Sequence, residues 1–273
     1  MKKFLLAATI ALCLMSAGCF QAKYDLIITD DGAVVRNWKM LGTAPFSRQI
    51  EQMKANNERL FPNLKLKPIA EGDMLGYAFS LEYPDLESFA KSYSELYNAH
   101  AGKSTGVSRR EGWFFDAYAF DFYCTVTREN LPPEVDHVTQ AALTSLVYEL
   151  TVQLPYAADF HDADEVSADG KVLTWKLAPL LIKGGERNLR AQFKIWHREK
   201  IFLTAAIGVL MLAGTIFFGV KARREESVSV ADDFRFKRNV FGWLFISLAL
   251  VAAYVLLTPI VFTEADIISA VVP

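Results

Sequence analysis

Residues 201–220 contain no charged side chain, and twelve of those twenty positions are Ile, Leu, Val, Phe or Met. Each strongly apolar residue near a helix centre favours membrane insertion by roughly 0.3–0.6 kcal/mol, so the segment inserts with several kcal/mol in hand before its glycines and threonines are counted. Residues 240–262 repeat the pattern, with Trp243 and Tyr254 placed as interfacial anchors and Pro259 near enough to the end to be tolerated. The alternative is a buried helical hairpin of a soluble protein. The hydrophobic fraction of 52% and mean hydropathy of +0.17 are therefore read as two membrane helices rather than one large core.

The N-terminus supplies the second constraint. Met1-Lys2-Lys3 precedes an apolar run from Phe4 to Met15 and the small residues Ser16-Ala17-Gly18, followed by Cys19. A short basic region, an apolar stretch too short to span and small residues before a cut site make a secretory leader. Cysteine directly after Ala17-Gly18 resembles the lipobox of bacterial lipoproteins, although Ser16 stands where leucine is usual. That resemblance implies a thioether-linked diacylglycerol on Cys19, which becomes the mature N-terminus carrying acyl chains such as palmitate. An ordinary cleaved leader, or an uncleaved anchor with an incidental cysteine, is the alternative. Cys13 leaves with the leader, and only Cys19 and Cys124 remain, so no internal disulfide is expected after processing.

Charge sets the orientation. Lys221, Arg223, Arg224, Arg235, Lys237 and Arg238 lie between the two apolar segments, which places that connection in the cytoplasm. Arg187, Arg190, Lys194, Arg198 and Lys200 precede the first segment and would make charge alone ambiguous, but an exported N-terminus resolves it. The expected order is a leader over 1–18, an extracytoplasmic domain over 19–200, a membrane helix over 201–220, a cytoplasmic basic loop over 221–239, a second membrane helix over 240–262 and an extracytoplasmic tail over 263–273. With its first and last residues tied to the bilayer, the domain is expected close to the headgroups, where its basic C-terminal stretch meets anionic lipid.

Inside the exported domain, strand and helix signals alternate. Tyr24 to Thr29 and Ala33 to Leu41 read as strands joined by Asp30-Asp31-Gly32, and Ser47 to Leu60 as a helix. Leu64 to Glu71 and Gly76 to Tyr83 form a second strand pair, and Pro84-Asp85 opens a helix over Leu86 to Asn98. Trp113 to Thr127 is the most aromatic stretch outside the spans. As a strand it puts Phe114, Tyr118, Phe120 and Phe122 on one face and Trp113, Phe115 and Tyr123 on the other, so both faces are apolar. Such a strand must be covered on both sides or line a cavity. A lipid-holding pocket walled by Trp113, Phe115, Tyr118, Phe120, Phe122 and Tyr123 satisfies the pattern, and so does an ordinary two-sided core. Leu143 to Leu154, Val172 to Leu177 and the alternation from Leu189 to Ile195 complete the strands.

Catalytic and cofactor motifs are not found. His100 to Thr105 ends like a phosphate-binding loop, but Tyr97 stands where the first glycine belongs. His161, Asp162, Asp164, Glu165 and Asp169 lack the ligand spacing of a calcium loop, and the four histidines are scattered. Asp116 and Asp121 fall on opposite faces of their strand, and Cys124 reads as a small buried hydrophobe. With a net charge of −2 there is no basic field for nucleic acid. The expectation is a non-enzyme without cofactor or metal, whose partners are membrane lipids, a lipid ligand or other membrane proteins, and not nucleic acid.

Three further segments carry a wider resemblance. Gly18-Cys19 followed by a strand and Asp31-Gly32, then Leu150-Thr151-Val152-Gln153-Leu154-Pro155, then Asp169-Gly170-Lys171-Val172-Leu173-Thr174-Trp175-Lys176-Leu177, resemble in kind and order the LppM-domain family of bacterial lipoproteins. The likeness covers most of Cys19 to Trp196. It implies a domain in which a curved sheet and helices surround an apolar cavity, with lipid or glycolipid as ligand and no catalytic residue. The second span and the basic connection depart from the single-span arrangement expected of that family. The fold class expected is α+β, a mixed or antiparallel sheet with flanking helices followed by two transmembrane helices.

Overall fold

The computed structural model describes residues 20–44, 47–60, 64–97, 106–126, 147–258 and 262. Cys19, the leader and the residues 98–105 that mimic a phosphate loop lie outside that set. The chain forms two compact units, one of Met1–Arg109, Tyr118–Ile195 and Thr263–Pro273, the other of Arg110–Ala117 and Trp196–Phe262.

The first hairpin follows from its turn. β1 (Phe20–Ile28) and β2 (Val34–Gly42) pair antiparallel from Phe20 opposite Gly42 to Ile28 opposite Val34. Asp31 accepts from the Ala33 N–H at 3.3 Å, and Gly32 sits at φ 89°, a backbone region costly for residues with a Cβ. Helix α1 (Ser47–Leu60), β3 (Lys67–Glu71), β4 (Met74–Tyr83) and α2 (Leu86–Tyr97) come next, and Asp85 caps α2 by accepting from the Ser88 N–H at 2.6 Å. The strand anticipated from Leu64 begins only at Lys67, the first residue paired with β4, opposite Ala78, while Leu64 and Leu66 pack against the Ala22–Met40–Tyr77 cluster.

β5 (Gly106–Arg110), β6 (Phe115–Val126), β7 (Val147–Gln153), β8 (Phe160–His161), β9 (Glu165–Val166), β10 (Val172–Lys176), the short helix α3 (Ala178–Lys183) and β11 (Gly185–Trp196) complete the sheets. Seven strands order as β3-β4-β2-β1-β7-β10-β9, and four as β5-β6-β11-β8. The larger sheet is mixed, since β1 and β7 run parallel while its other recorded pairs are antiparallel. The fold class is thus α+β, with flanking helices and two long apolar helices at the C-terminal side.

Register aligns the inward side chains. Leu26 lies opposite Arg36 and Val152, and Tyr24 opposite Trp38 and Leu150, so one face of the larger sheet carries Tyr24, Leu26, Val34, Leu150, Val152, Leu173 and Trp175. These join Tyr118, Phe120, Phe122, Leu189 and Phe193 of the smaller sheet, and Leu86 and Phe89 of α2, in one buried cluster. The two sheets face each other across this core. Farther along the larger sheet, Ile50 of α1 covers Ala22, Met40, Tyr77 and Phe79.

In the second unit, α4 (Arg198–Arg224) and α5 (Val228–Leu257) form a hairpin. Each contains an 18-residue window of mean hydropathy 2.4 with none of it buried. At 1.5 Å per residue, helices of this length run about 40 and 45 Å, beyond a hydrocarbon core of about 30 Å. Both are therefore long and apolar enough to cross a membrane. The connection between them is only Glu225 to Ser227, and the basic residues anticipated in a loop occupy helical turns on either side of it. Arg235 pairs with Asp232 and Lys237 with Asp233 along α5, contacts that helical spacing provides.

Candidate functional site

The six aromatic residues expected to wall a pocket separate in the structure. Trp113 precedes β6 and is 55% exposed, its indole N–H donating to Thr204 Oγ1 at 3.1 Å. The strand starts two residues late because the Gly112 N–H turns back to Asp116 Oδ1 at 3.2 Å, and the Phe115 carbonyl oxygen lies 2.4 Å from where a Cβ on Gly112 would sit. Phe115 packs edge-on against Trp196 with centroids 4.9 Å apart. Tyr118 stacks on Phe193 at 5.4 Å. Phe120, with no exposed surface, stacks on Phe122 at 4.6 Å and meets Trp175 and Phe193 at 6.1 and 6.4 Å. Tyr123 is buried on the opposite face of β6. Both faces of the strand are covered, and Tyr118 and Phe120 are packed core.

A cavity exists beside them. Tyr24, Trp38, Phe89, Phe122, Cys124, Tyr148, Leu150 and Leu177 line a space of about 40 Å³ between the larger sheet, α2 and β6. Of the six expected wall residues, Phe122 alone lines it. One water needs about 10–15 Å³ on this measure, so the space holds about three waters or the end of one hydrocarbon chain. Its walls are aromatic: Tyr24 meets Trp38 edge-on at 5.4 Å, and Phe89 meets Phe122 at 5.7 Å. Cys124, read from sequence as a small hydrophobe on a buried strand, is half-buried and lines the cavity.

Arg36 is the residue that sequence reading missed. It occupies an inward position of β2 and is only 1% exposed. Its guanidinium lies 4.9 Å from the Tyr24 ring centre, 5.9 Å from Trp38 and 5.8 Å from Phe79, so two of the three aromatics beneath this cation also line the cavity. The signal was present in the alternation Val34, Arg36, Trp38, Met40, which places Arg36 on the apolar face.

The acidic loop has a structural use. Arg187 grips Asp164 with two bonds of 2.8 and 2.9 Å, and Asp164 also accepts from the Lys176 N–H at 2.7 Å. The Arg187 bonds, the largest influence, hold the Asp164 carboxyl below the usual carboxylate range. Asp162 accepts from the Trp175 indole and the Arg190 N–H at 2.7 and 2.8 Å. Among the described residues no group of three or more His, Cys, Asp or Glu is placed to hold a metal ion. Asp121 binds Asn188 and Arg190 while Asp116 meets His197 Nε2 at 3.0 Å, so the two aspartates of β6 serve separate contacts.

A larger cleft of about 420 Å³ opens between α1 and the β3–β4 hairpin, where Ile50, Leu66 and Tyr77 mix with Glu51, Lys54 and Asp73.

No family model and no curated protein matches the chain. Among solved structures, the chain is similar to the NMR structure of the folded domain of the Mycobacterium tuberculosis LppM protein, at 14% identity and a TM-score of 0.36, over 67% of this chain and 94% of that one.

Proposed function

We propose that this chain is an envelope lipoprotein, anchored by acyl chains on Cys19 and by the α4–α5 hairpin, whose extracytoplasmic domain binds an apolar ligand of the lipid or glycolipid class. The reading is supported by the aromatic cavity of Tyr24, Trp38, Phe89, Phe122, Cys124, Tyr148, Leu150 and Leu177, carried on a chain with two helices long and apolar enough to cross a membrane. At about 40 Å³ the described space takes the end of an acyl chain, and the remainder of the ligand lies outside it. The sequence resemblance to LppM-domain lipoproteins agrees with this ligand class. The role is binding rather than catalysis.

Native mass spectrometry of the detergent-extracted full chain, followed by delipidation and rebinding, tests the proposal. Cys124 provides a second readout, because a chain end in the cavity must shield its thiol from maleimide. Rebound lipid that slows Cys124 alkylation supports the reading. A protein that never carries lipid, and alkylates at one rate throughout, overturns it.

The solid packing of Tyr118 and Phe120 favours a second reading, a structural or interaction subunit of an envelope membrane complex that recruits membrane-protein partners through its spans. Membrane-protein partners crosslinked through residues 223–238, together with an ectodomain that rebinds no lipid, would select it.

A further inference from the structure

One half of the hairpin is filled by aromatic side chains and the other carries a surface groove. In the half of the hairpin toward the Glu225–Ser227 turn, beginning about midway along the helices, Phe241 fills the space beside Gly214, where a Cβ would come within 2.8 Å of the ring, and Phe218 packs on Phe241 and Phe234 at 5.6 and 6.2 Å. Toward Arg198 the two helices leave a groove of about 630 Å³. Small side chains line it, Gly208 on α4 and Ala249 and Ala252 on α5, together with Leu212, Phe245 and Trp196; the helices stay in contact at its floor, where a Cβ on Gly208 would lie 3.7 Å from the Phe245 ring.

The groove's length identifies its occupant. From Ile201 to Leu212 the α4 wall rises about 16 Å, close to half of a hydrocarbon core of about 30 Å. A partner's spanning helix would need a seam through the whole bilayer, and the aromatic packing around Phe241 blocks it halfway. One lipid acyl chain of a single leaflet matches the depth. The rim suits a headgroup: Lys200 lies over the Trp113 ring at 5.6 Å, and Trp113 bonds Thr204, which lines the groove. Arg198 adds a second cation in this turn, Glu199 opposes it, and His197 is engaged with Asp116.

We infer that the grooved half of the α4–α5 hairpin is a binding site for an anionic phospholipid, with one acyl chain in the groove and the phosphate beside Lys200. The site is separate from the ectodomain cavity, so either can fail without the other.

The test places the full chain in nanodiscs containing phosphatidylglycerol or phosphatidylcholine with a photoactivatable group in the acyl chain, then maps adducts by peptide mass spectrometry. Adducts should concentrate on residues 204–212 and 248–256. Ala249→Phe, which fills the groove, should lower them about tenfold, and the milder Ala252→Leu should act in the same direction should the first variant insert poorly. Leu210→Phe, on an outward position, should leave them unchanged. Lys200→Gln should reduce the preference for phosphatidylglycerol about fivefold while groove adducts persist. Adducts spread evenly over both helices, indicating annular lipid only, would overturn the site. So would adducts indifferent to both groove-filling variants, chain-to-chain crosslinks through the groove, or a lipid preference that ignores Lys200.

Discussion

Phe120→Ala separates a packed core from a lipid-filled wall. Phe120 has no exposed surface and touches the rings of Phe122 on its own strand, Trp175 on β10 and Phe193 on β11, so truncation removes contacts to three rings and two other strands at once. Phe-to-Ala changes in cores cost about 3–5 kcal/mol, and the loss of three aromatic neighbours puts this site near 4. A domain of this size loses about 2–4 °C of Tm per kcal/mol, so the variant should melt about 8–16 °C lower. The assay is thermal unfolding of the detergent-solubilised full chain by near-ultraviolet circular dichroism, in lipid-loaded and delipidated forms. Both forms should lose the same amount. A loss under about 1.5 kcal/mol, or one that lipid reverses, would show that the ring faces space lipid already fills, and would refute the packing argument.

Gly76 offers a second test, because a Cβ there would stand 1.9 Å from the Met40 carbonyl oxygen. Gly76→Ala should part β4 from β2 and destabilise the domain by more than about 2 kcal/mol in a urea titration; a neutral effect would contradict the described register. Gly214→Leu should force Phe241 aside and open the hairpin, which disulfide trapping between cysteines placed at Thr215 and Gly242 would report as lost crosslinking. The pH profile has a defined sign. Asp164, held down by Arg187, and Asp85, held down by the Ser88 N–H, stabilise the fold above their unfolded pKa of about 3.9, and this is lost as pH falls through their lower folded values. Asp25 is raised by burial and acts oppositely, favouring the fold at low pH and weighing against it as pH rises through its folded value. Asp25→Asn should therefore raise Tm at pH 7 and leave it little changed at pH 3, whereas a lower Tm at pH 7 would show that the carboxylate is needed.

Local chemistry made most of the elements legible. Asp30-Asp31-Gly32 marked the first turn, Pro84-Asp85 the start of α2, and the uncharged runs the two long helices, because each signal acts within a few residues. Pairing across distance was not legible. β1 lies parallel to β7, with Gln21 opposite Val147, and nothing near either residue specifies the other. β5, β8, β9 and α3 also escaped notice, being too short to show a period. The aromatic strand was visible, but the division of its ring faces between core and cavity depends on which strand stands opposite. Phe120 meets Trp175 and Phe193, while Phe122, two residues on, lines the cavity. Arg36 shows the converse: its place on the inner face could be read from alternation, but its aromatic cradle arises from three strands, β1, β2 and β4.

The central proposal is that the hairpin crosses the membrane and holds the domain outside. Cysteines introduced singly at Ala168, exposed in the domain, and Ser227, exposed in the turn between α4 and α5, in a Cys124→Ser background, would be probed on intact cells with a membrane-impermeant maleimide. The account predicts labelling at Ala168→Cys without lysis and at Ser227→Cys only after lysis, with the protein still in the membrane fraction when Cys19 is replaced by Ser. Labelling in the reverse order, or release of Cys19→Ser protein into the soluble fraction, would contradict it.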